Sequence, residues 1–302
     1  MIKRFVFFSF VLLAGCTSST KKDSTPIDVE AYTAGIKEWQ KKRNDYQVSE
    51  QGWVNLAGLF WMKEGINTFG SGDDNDFVFP EGKIPERAGY FLLKNGEVTL
   101  EGAPGVEFLI DKQSVMKRVI AGEGISRMEV AYGPLRWFVI KRDEKFGIRL
   151  RDFEHPLLKE FHPIECYPID PQWQLPGKIE WADSTHTIEI TNVLGQTGPQ
   201  RSQGKLVFIW QGKEYTLDAL DEGGDHEFFV IFGDETNATE TYGAGRYMYV
   251  EYPKEGNEVV IDFNKAYNPP CAFTEFATCP LPPKQNVLPF PVRAGEKNYG
   301  SH

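Results

Sequence analysis

Apolar residues along this chain occur in three textures, and each predicts a different kind of element. The first is an unbroken run, Phe5 to Leu13, behind the cations Lys3 and Arg4 and ahead of Leu13-Ala14-Gly15-Cys16. Charge, grease and small residues in that order are the pattern of a secretory signal, and the run is too short to span a bilayer, which takes about 20 apolar residues. The second texture is helical. Between Pro26 and Asn44, Ile27, Ala31, Ile36, Trp39 and the aliphatic stem of Arg43 recur at intervals of three to five, with Pro26 and Asp28 early and basic residues late. That spacing predicts one long helix that docks on the body behind it.

From Gly52 onward the texture changes to short β-like runs. They include Leu56 to Trp61, Ile66 to Phe69, Phe77 to Phe79, Tyr90 to Leu93, Val98 to Leu100, Val106 to Ile110, Ser126 to Tyr132, Leu135 to Arg142 and Gly147 to Leu150. A second set comprises Thr185 to Thr191, Lys205 to Trp210, Glu214 to Leu217, Glu227 to Phe232, Arg246 to Tyr252 and Glu258 to Phe263. Turn signals such as Lys94-Asn95-Gly96 and Gln211-Gly212-Lys213 separate them. Many short strands at close spacing predict a mostly β protein, an antiparallel β-sandwich or barrel in two packed parts. The tail behaves differently: Asn264 to Glu296 holds seven prolines, at 269, 270, 280, 282, 283, 289 and 291, and should wrap the surface in extended form. These textures divide the chain into a signal peptide (1–15), a polar tether (16–25), an N-terminal helix (26–47), a β-sandwich (48–160) and a second β domain with its Pro-rich tail (161–302).

Charge narrows the partners. Without residues 1–15, which carry two basic and no acidic residues, 33 − 2 = 31 Lys and Arg face 43 Asp and Glu, a net charge of −12. Such a balance argues against a nucleic-acid partner. No P-loop and no Gly-x-Ser-x-Gly elbow is present, and no cofactor motif is found. Asp73, Asp74, Asn75 and Asp76 do not follow the calcium-loop spacing, and His162 and Cys166 with Cys271 and Cys279 lack tight zinc spacing, so no metal is expected. Cys271 and Cys279 stand close enough in sequence to close a short loop, which leaves Cys166 over.

The polar groups that stand out are in the tail block and just before it. Asp262, Asn264, Tyr267 and Asn268 sit among Phe263, Phe273 and Phe276, and Arg246, behind Gly243 and Gly245, is a candidate fork for a carboxylate or phosphate. Arg149 and Arg151 alternate with Leu150 on a predicted strand and should face one way, as a basic stripe at a pocket mouth or a solvated strand face. Together these predict either a ligand site made of Arg246, Asp262, Asn264, Tyr267, Asn268 and Arg149, for a small polar or anionic ligand held by the C-terminal β domain, or a wrapping tail whose backbone groups are capped by Arg246, Asn264 and Asn268. The alternative is a hydrolase-type enzyme on a small polar or saccharide substrate, using Asp262, Tyr267 or Cys271.

Three resemblances bear on these expectations. Leu13-Ala14-Gly15-Cys16 resembles the bacterial lipobox, which implies that Cys16 is diacylated and becomes the mature N-terminus of a membrane-anchored envelope lipoprotein, with the polar segment Thr17 to Thr25 as its tether. Residues 65–100, GINTFGSGDDNDFVFPEGKIPERAGYFLLKNGEVTL, resemble the core of a forkhead-associated domain, a sandwich that binds phosphothreonine. Ser71 stands where that family has its arginine, and Pro85 and Ala88 replace its Ser-x-x-His pair, so the sandwich is implied without the phosphate grip. Finally, WVNLAGLFW (53–61), GIRLRD (147–152), YPIDP (167–171), TYGAGR (241–246) and DFNKAYNPPCAFT (262–274) with CPLPP (279–283) are similar to the domain-of-unknown-function family numbered 1684, which implies no particular chemistry.

The lipobox reading has a direct test. When the full chain is expressed in a bacterium with radioactive palmitate, it should label and pellet with membranes, and Cys16→Ser should do neither. A Cys16→Ser chain that labels and pellets like the parent would end the anchor hypothesis.

Overall fold

The computed structural model describes residues 27–142, 144–224 and 226–300. Cys16, the signal segment and the tether lie outside the described residues. Helix α1 (Val29–Gln47) begins on Asp28, whose carboxylate accepts the backbone N–H groups of Glu30 and Ala31 at 3.1 Å. That cap satisfies two of the donors a first turn leaves orphaned. The expected apolar stripe is not what docks the helix, because Ile27 and Val29 are exposed and Ile36 is the one apolar side chain of α1 in the core. Polar contacts at both ends do it instead. Tyr32 donates to Asp262 at 2.8 Å, Arg43 donates to Glu296 at 3.0 Å, and Asn44 accepts the N–H of Ile164 at 3.0 Å.

Among the described residues eleven strands follow as a two-sheet sandwich: β1 (Leu56–Trp61), β2 (Gly65–Gly70), β3 (Phe77–Val78), β4 (Gly89–Lys94), β5 (Glu97–Gly102), β6 (Phe108–Ile110), β7 (Gln113–Val115), β8 (Lys117–Ala121), β9 (Val130–Tyr132), β10 (Leu135–Arg142) and β11 (Lys145–Asp152). One sheet has the order β1-β11-β10-β9-β6-β7 and the other β3-β2-β4-β5-β8, antiparallel except for β2 with β3. Between them Phe69, Phe79, Phe91, Phe108 and Trp137 are fully buried, with Trp137 edge-on to Phe79 and Phe108 at 5.5 Å. Strands β7 and β8 are not predicted by the apolar pattern. Both are edge strands, which have a neighbour on one side only and tolerate exposed charges such as Lys117 and Arg118.

Where the forkhead-associated resemblance places a phosphate grip, the side chains are used locally. Ser71 donates to the carbonyl of Ile84 at 2.9 Å, Ala88 is buried in the sandwich core, and nearby Arg87 is paired with Asp74.

After the short helix α2 (Leu157–Glu160) comes the second body, made of β12 (Gln174–Trp181), β13 (Thr187–Thr191), β14 (Thr197–Trp210), β15 (Lys213–Leu220), β16 (Glu227–Phe232), β17 (Arg246–Glu251) and β18 (Glu258–Asp262). Its order is β17-β16-β15-β14-β12-β18, with β13 added on β14, and the edge strands β17 and β18 approach each other so that the sheet nearly closes as a barrel. Alternate residues fill the interior, among them Leu206, Phe208, Phe228, Phe232, Met248, Val250 and Ile261. Strand β12 is absent from the sequence expectation because Pro176 argues against a central strand. Here β14 pairs with β12 from Gly177 onward, so Pro176 has β18 alone beside it.

The Pro-rich tail wraps this barrel, as its composition predicts. Its fastening is Arg246, 0 % exposed, which donates from Nη2 to Asp234 at 2.9 Å and to the carbonyl of Val292 at 2.7 Å, and from Nη1 to the carbonyls of Ala294 and Glu296. Asn286 adds a second stitch through Asp218 and Ile231. Close approach needs glycine at two places. Gly245 has φ +90° and a Cβ there would lie 2.5 Å from Pro282, while at Gly295, φ +75°, it would lie 2.4 Å from the carbonyl oxygen of Ala266.

Two outcomes follow from these contacts. Arg246→Met strands the buried Asp234 carboxylate and three tail carbonyls, and should cost about 3–5 kcal/mol in urea unfolding; a loss under about 1 kcal/mol would mean the tail is held by something else. In a chain carrying Arg149→Gln, the segment around Ser71 should not prefer phosphothreonine peptides over unphosphorylated ones. A phosphate-dependent micromolar affinity, about −8 kcal/mol, would contradict the reading of Ser71, Pro85 and Ala88.

Candidate functional site

Strand parity decides what the outside of the barrel presents. Interior residues take every second position, so β17 turns Tyr247, Tyr249 and Glu251 outward, β18 turns out Glu258, Val260 and Asp262, β12 Gln174, Pro176 and Lys178, and β14 Val207 and Ile209. These side chains form one wall of a cleft of about 1650 Å³. The facing wall comes from other parts of the chain: Trp39, Arg43 and Tyr46 of α1, Trp53 just before β1, and Arg142 and Arg149 of the sandwich.

Arg149 is the unusual group here. On β11 it lies between Leu59 of β1 and Phe138 of β10, while Leu150 turns into the sandwich core. It shares its face with Arg151, as the alternation predicts, yet the face is not solvated: Arg149 is 7 % exposed and Arg151 8 %. Arg151 is provided for, donating to the carbonyl of Gly52 and to Asn55 Oδ1 at 2.7 Å. Arg149 has the Trp53 ring 5.9 Å from its guanidinium carbon, its Nε is buried without a partner, and no carboxylate among the described residues pairs with it. Burial, reinforced by Arg142, Arg151 and Arg127, pushes its pKa down to about 10, which still leaves it a cation at neutral pH. A buried charge without a counter-charge is costly, so the site favours an anion.

The barrel wall is phenolic. Tyr249 donates to Glu222 at 2.7 Å and stacks on Tyr267 with ring centroids 6.0 Å apart, and the Arg43 guanidinium lies 4.4 Å from the Tyr267 ring centre. Tyr247 donates to the carbonyl of Pro280 at 2.7 Å and exchanges backbone hydrogen bonds with Tyr267. Burial raises the pKa of all three tyrosines, so they act as neutral donors and not as bases. Cys271 and Cys279 are joined in a disulfide, which removes Cys271 as a nucleophile and dissolves the cysteine pair of any zinc set. Among the described cysteines the free thiol is Cys166, pushed up to about 12 by burial and then by Glu296.

Of the residues singled out in the sequence, the cleft receives Arg149, Asp262, Tyr267 and Asn268. Asp262 Oδ1 accepts from Tyr32 and from the N–H of Asn264, while its buried Oδ2 has no donor, and neither has Asn268 Oδ1. The structure does not bring Arg246 or Asn264 to it. The terminal nitrogens of Arg246 are taken by Asp234 and the tail carbonyls, and Asn264 spends its amide on Tyr32 and the carbonyl of Asp170 and accepts the N–H of Asp170. Sequence reasoning missed Trp39, Arg43, Trp53, Arg142, Tyr249 and the apolar floor of Val207, Ile209 and Val260. The alternation in β14, β17 and β18 shows which of these face outward, but nothing local shows what faces them.

Several comparisons with known proteins bear on this architecture. An uncharacterized protein of Haloarcula marismortui, solved in solution, is 28 % identical over 46 % of this chain and 78 % of its own, with a TM-score of 0.39. An FHA domain from a study of phosphothreonine-dependent interactions is 16 % identical over 31 % of this chain and 92 % of its own, TM-score 0.22. The FhaA FHA domain, crystallised with the intracellular domain of Rv3910, gives the same identity, coverage of this chain and TM-score, over 97 % of its own length. None of the three overlaps is close enough to carry a function across. No curated protein matches the sequence. The family model described as "Protein of unknown function (DUF1684)" matches residues 159–297, which hold the barrel, the tail and the phenolic wall but neither α1 nor Arg149.

Proposed function

We propose that this chain is a membrane-anchored envelope lipoprotein whose body binds a small anionic ligand in the cleft between the sandwich and the barrel, with Arg149 receiving the anion. The observation that carries the reading is Arg149 itself: a guanidinium 7 % exposed, with no carboxylate among the described residues paired to it, opening on a large cleft. A planar fork of donors in a dry setting suits a carboxylate or phosphate. Trp53 covers one side of it, and Trp39 and the tyrosine wall offer flat surfaces and neutral donors around the same space. Lipidation at Cys16 would hold this body beside a membrane through the polar tether.

Thermal unfolding of the full chain with added citrate or inorganic phosphate tests the reading, because a ligand that binds the native state stabilises it by mass action, about 2.7 kcal/mol at one hundred times Kd. Wild type should be stabilised and Arg149→Gln should not, while without anion Arg149→Gln should be at least as stable as wild type, since it removes an uncompensated charge. The anion effect should persist at neutral pH and fade as pH rises through about 10, where the Arg149 guanidinium gives up its charge. No response from wild type, or an equal response from the variant, would defeat the proposal.

A further inference from the structure

The floor of the cleft says more about the ligand than its charge. Pro176 of β12 is paired with Val260 of β18, and Gly177 with Phe208 of β14. Ile209 follows Phe208 just beyond the last β12–β14 pair, so Ile209, Pro176 and Val260, all turned outward, lie near one another on three neighbouring strands. Ile209 is 63 % exposed and Val260 54 %, and Val207 lies beside them, two residues along β14. A single exposed apolar residue needs no explanation, but a contiguous stripe along the floor of a cleft marks a surface that is covered in use.

From this stripe and from Arg149, we infer that the occupant is an anionic amphiphile: a single-chain lipid whose carboxylate meets Arg149 and whose hydrocarbon chain lies along Ile209, Pro176 and Val260. The inference rests on the anion-binding reading above and names the ligand class. A wholly polar anion would leave the stripe in water, and a neutral hydrocarbon would leave Arg149 without a counter-charge. The volume, about 1650 Å³, is beyond the roughly 300–1,000 Å³ of ordinary small-ligand sites and has room for a chain as well as a headgroup.

Calorimetric titration of the full chain with acetate, octanoate, decanoate and laurate, each below its micelle concentration, tests the assignment. Affinity should climb with chain length, by up to about fourfold for each methylene that enters the groove. The exposed pair Ile209→Thr with Val260→Thr should flatten that climb while leaving citrate-induced stabilisation unchanged, and Arg149→Gln should weaken laurate at least tenfold. Dodecanol, neutral and of the same length, should bind at least tenfold more weakly than laurate. If laurate binds no better than acetate while citrate still stabilises, the amphiphile is excluded and the anion site stands. If dodecanol matches laurate, the headgroup assignment fails. If neither laurate nor citrate binds, both proposals fall together.

Discussion

Much of the C-terminal architecture hangs on one buried ion pair. Arg246 reaches Asp234 and three carbonyls of the tail, at Val292, Ala294 and Glu296, without exposing any of its surface. A tail with seven prolines has few backbone N–H groups to give to a sheet. Its carbonyls still need donors, and one guanidinium supplies them at three residues. Asp234 completes the node by accepting from Thr236 and from the N–H of Val292.

The cleft depends on that node at one remove. With Glu296 held by its own carbonyl, its carboxylate accepts the N–H of Asn268 at 2.7 Å and takes Arg43 of α1. The helix is thereby fixed at its C-terminal half, and Tyr32 on Asp262 fixes its N-terminal half. Trp39 and Arg43 reach the cleft because both ends of α1 are tied to the tail block by polar contacts, which a buried helix–sheet interface would not have required.

Two buried arginines illustrate what separates structure from function in this molecule. Arg246 and Arg149 are of one residue type and are similarly buried, and each leaves its Nε unpaired. The difference lies in the terminal nitrogens. Those of Arg246 are matched by a carboxylate and three carbonyls, while Arg149 faces other arginines and an indole. A satisfied buried cation rigidifies a fold, and an unsatisfied one is a demand on whatever enters the cleft.

Local pattern was enough for several features. Alternation announced the strands of both β bodies, proline content announced a wrapping tail, and the Arg149–Leu150–Arg151 alternation put both arginines on one face. It was also enough to mark Asp262, Tyr267 and Asn268 as out of the ordinary. Edge strands β7 and β8 escaped because an edge needs little apolar content, and β12 escaped because the cost of Pro176 depends on where the neighbouring strand begins to pair. Which arginine would be spent on the fold and which left for a ligand was decided by tertiary structure alone. The groups that settle it, Asp234 and the tail carbonyls for one and Trp53 and Arg142 for the other, are set by chain crossings that no local pattern of apolar and polar residues encodes.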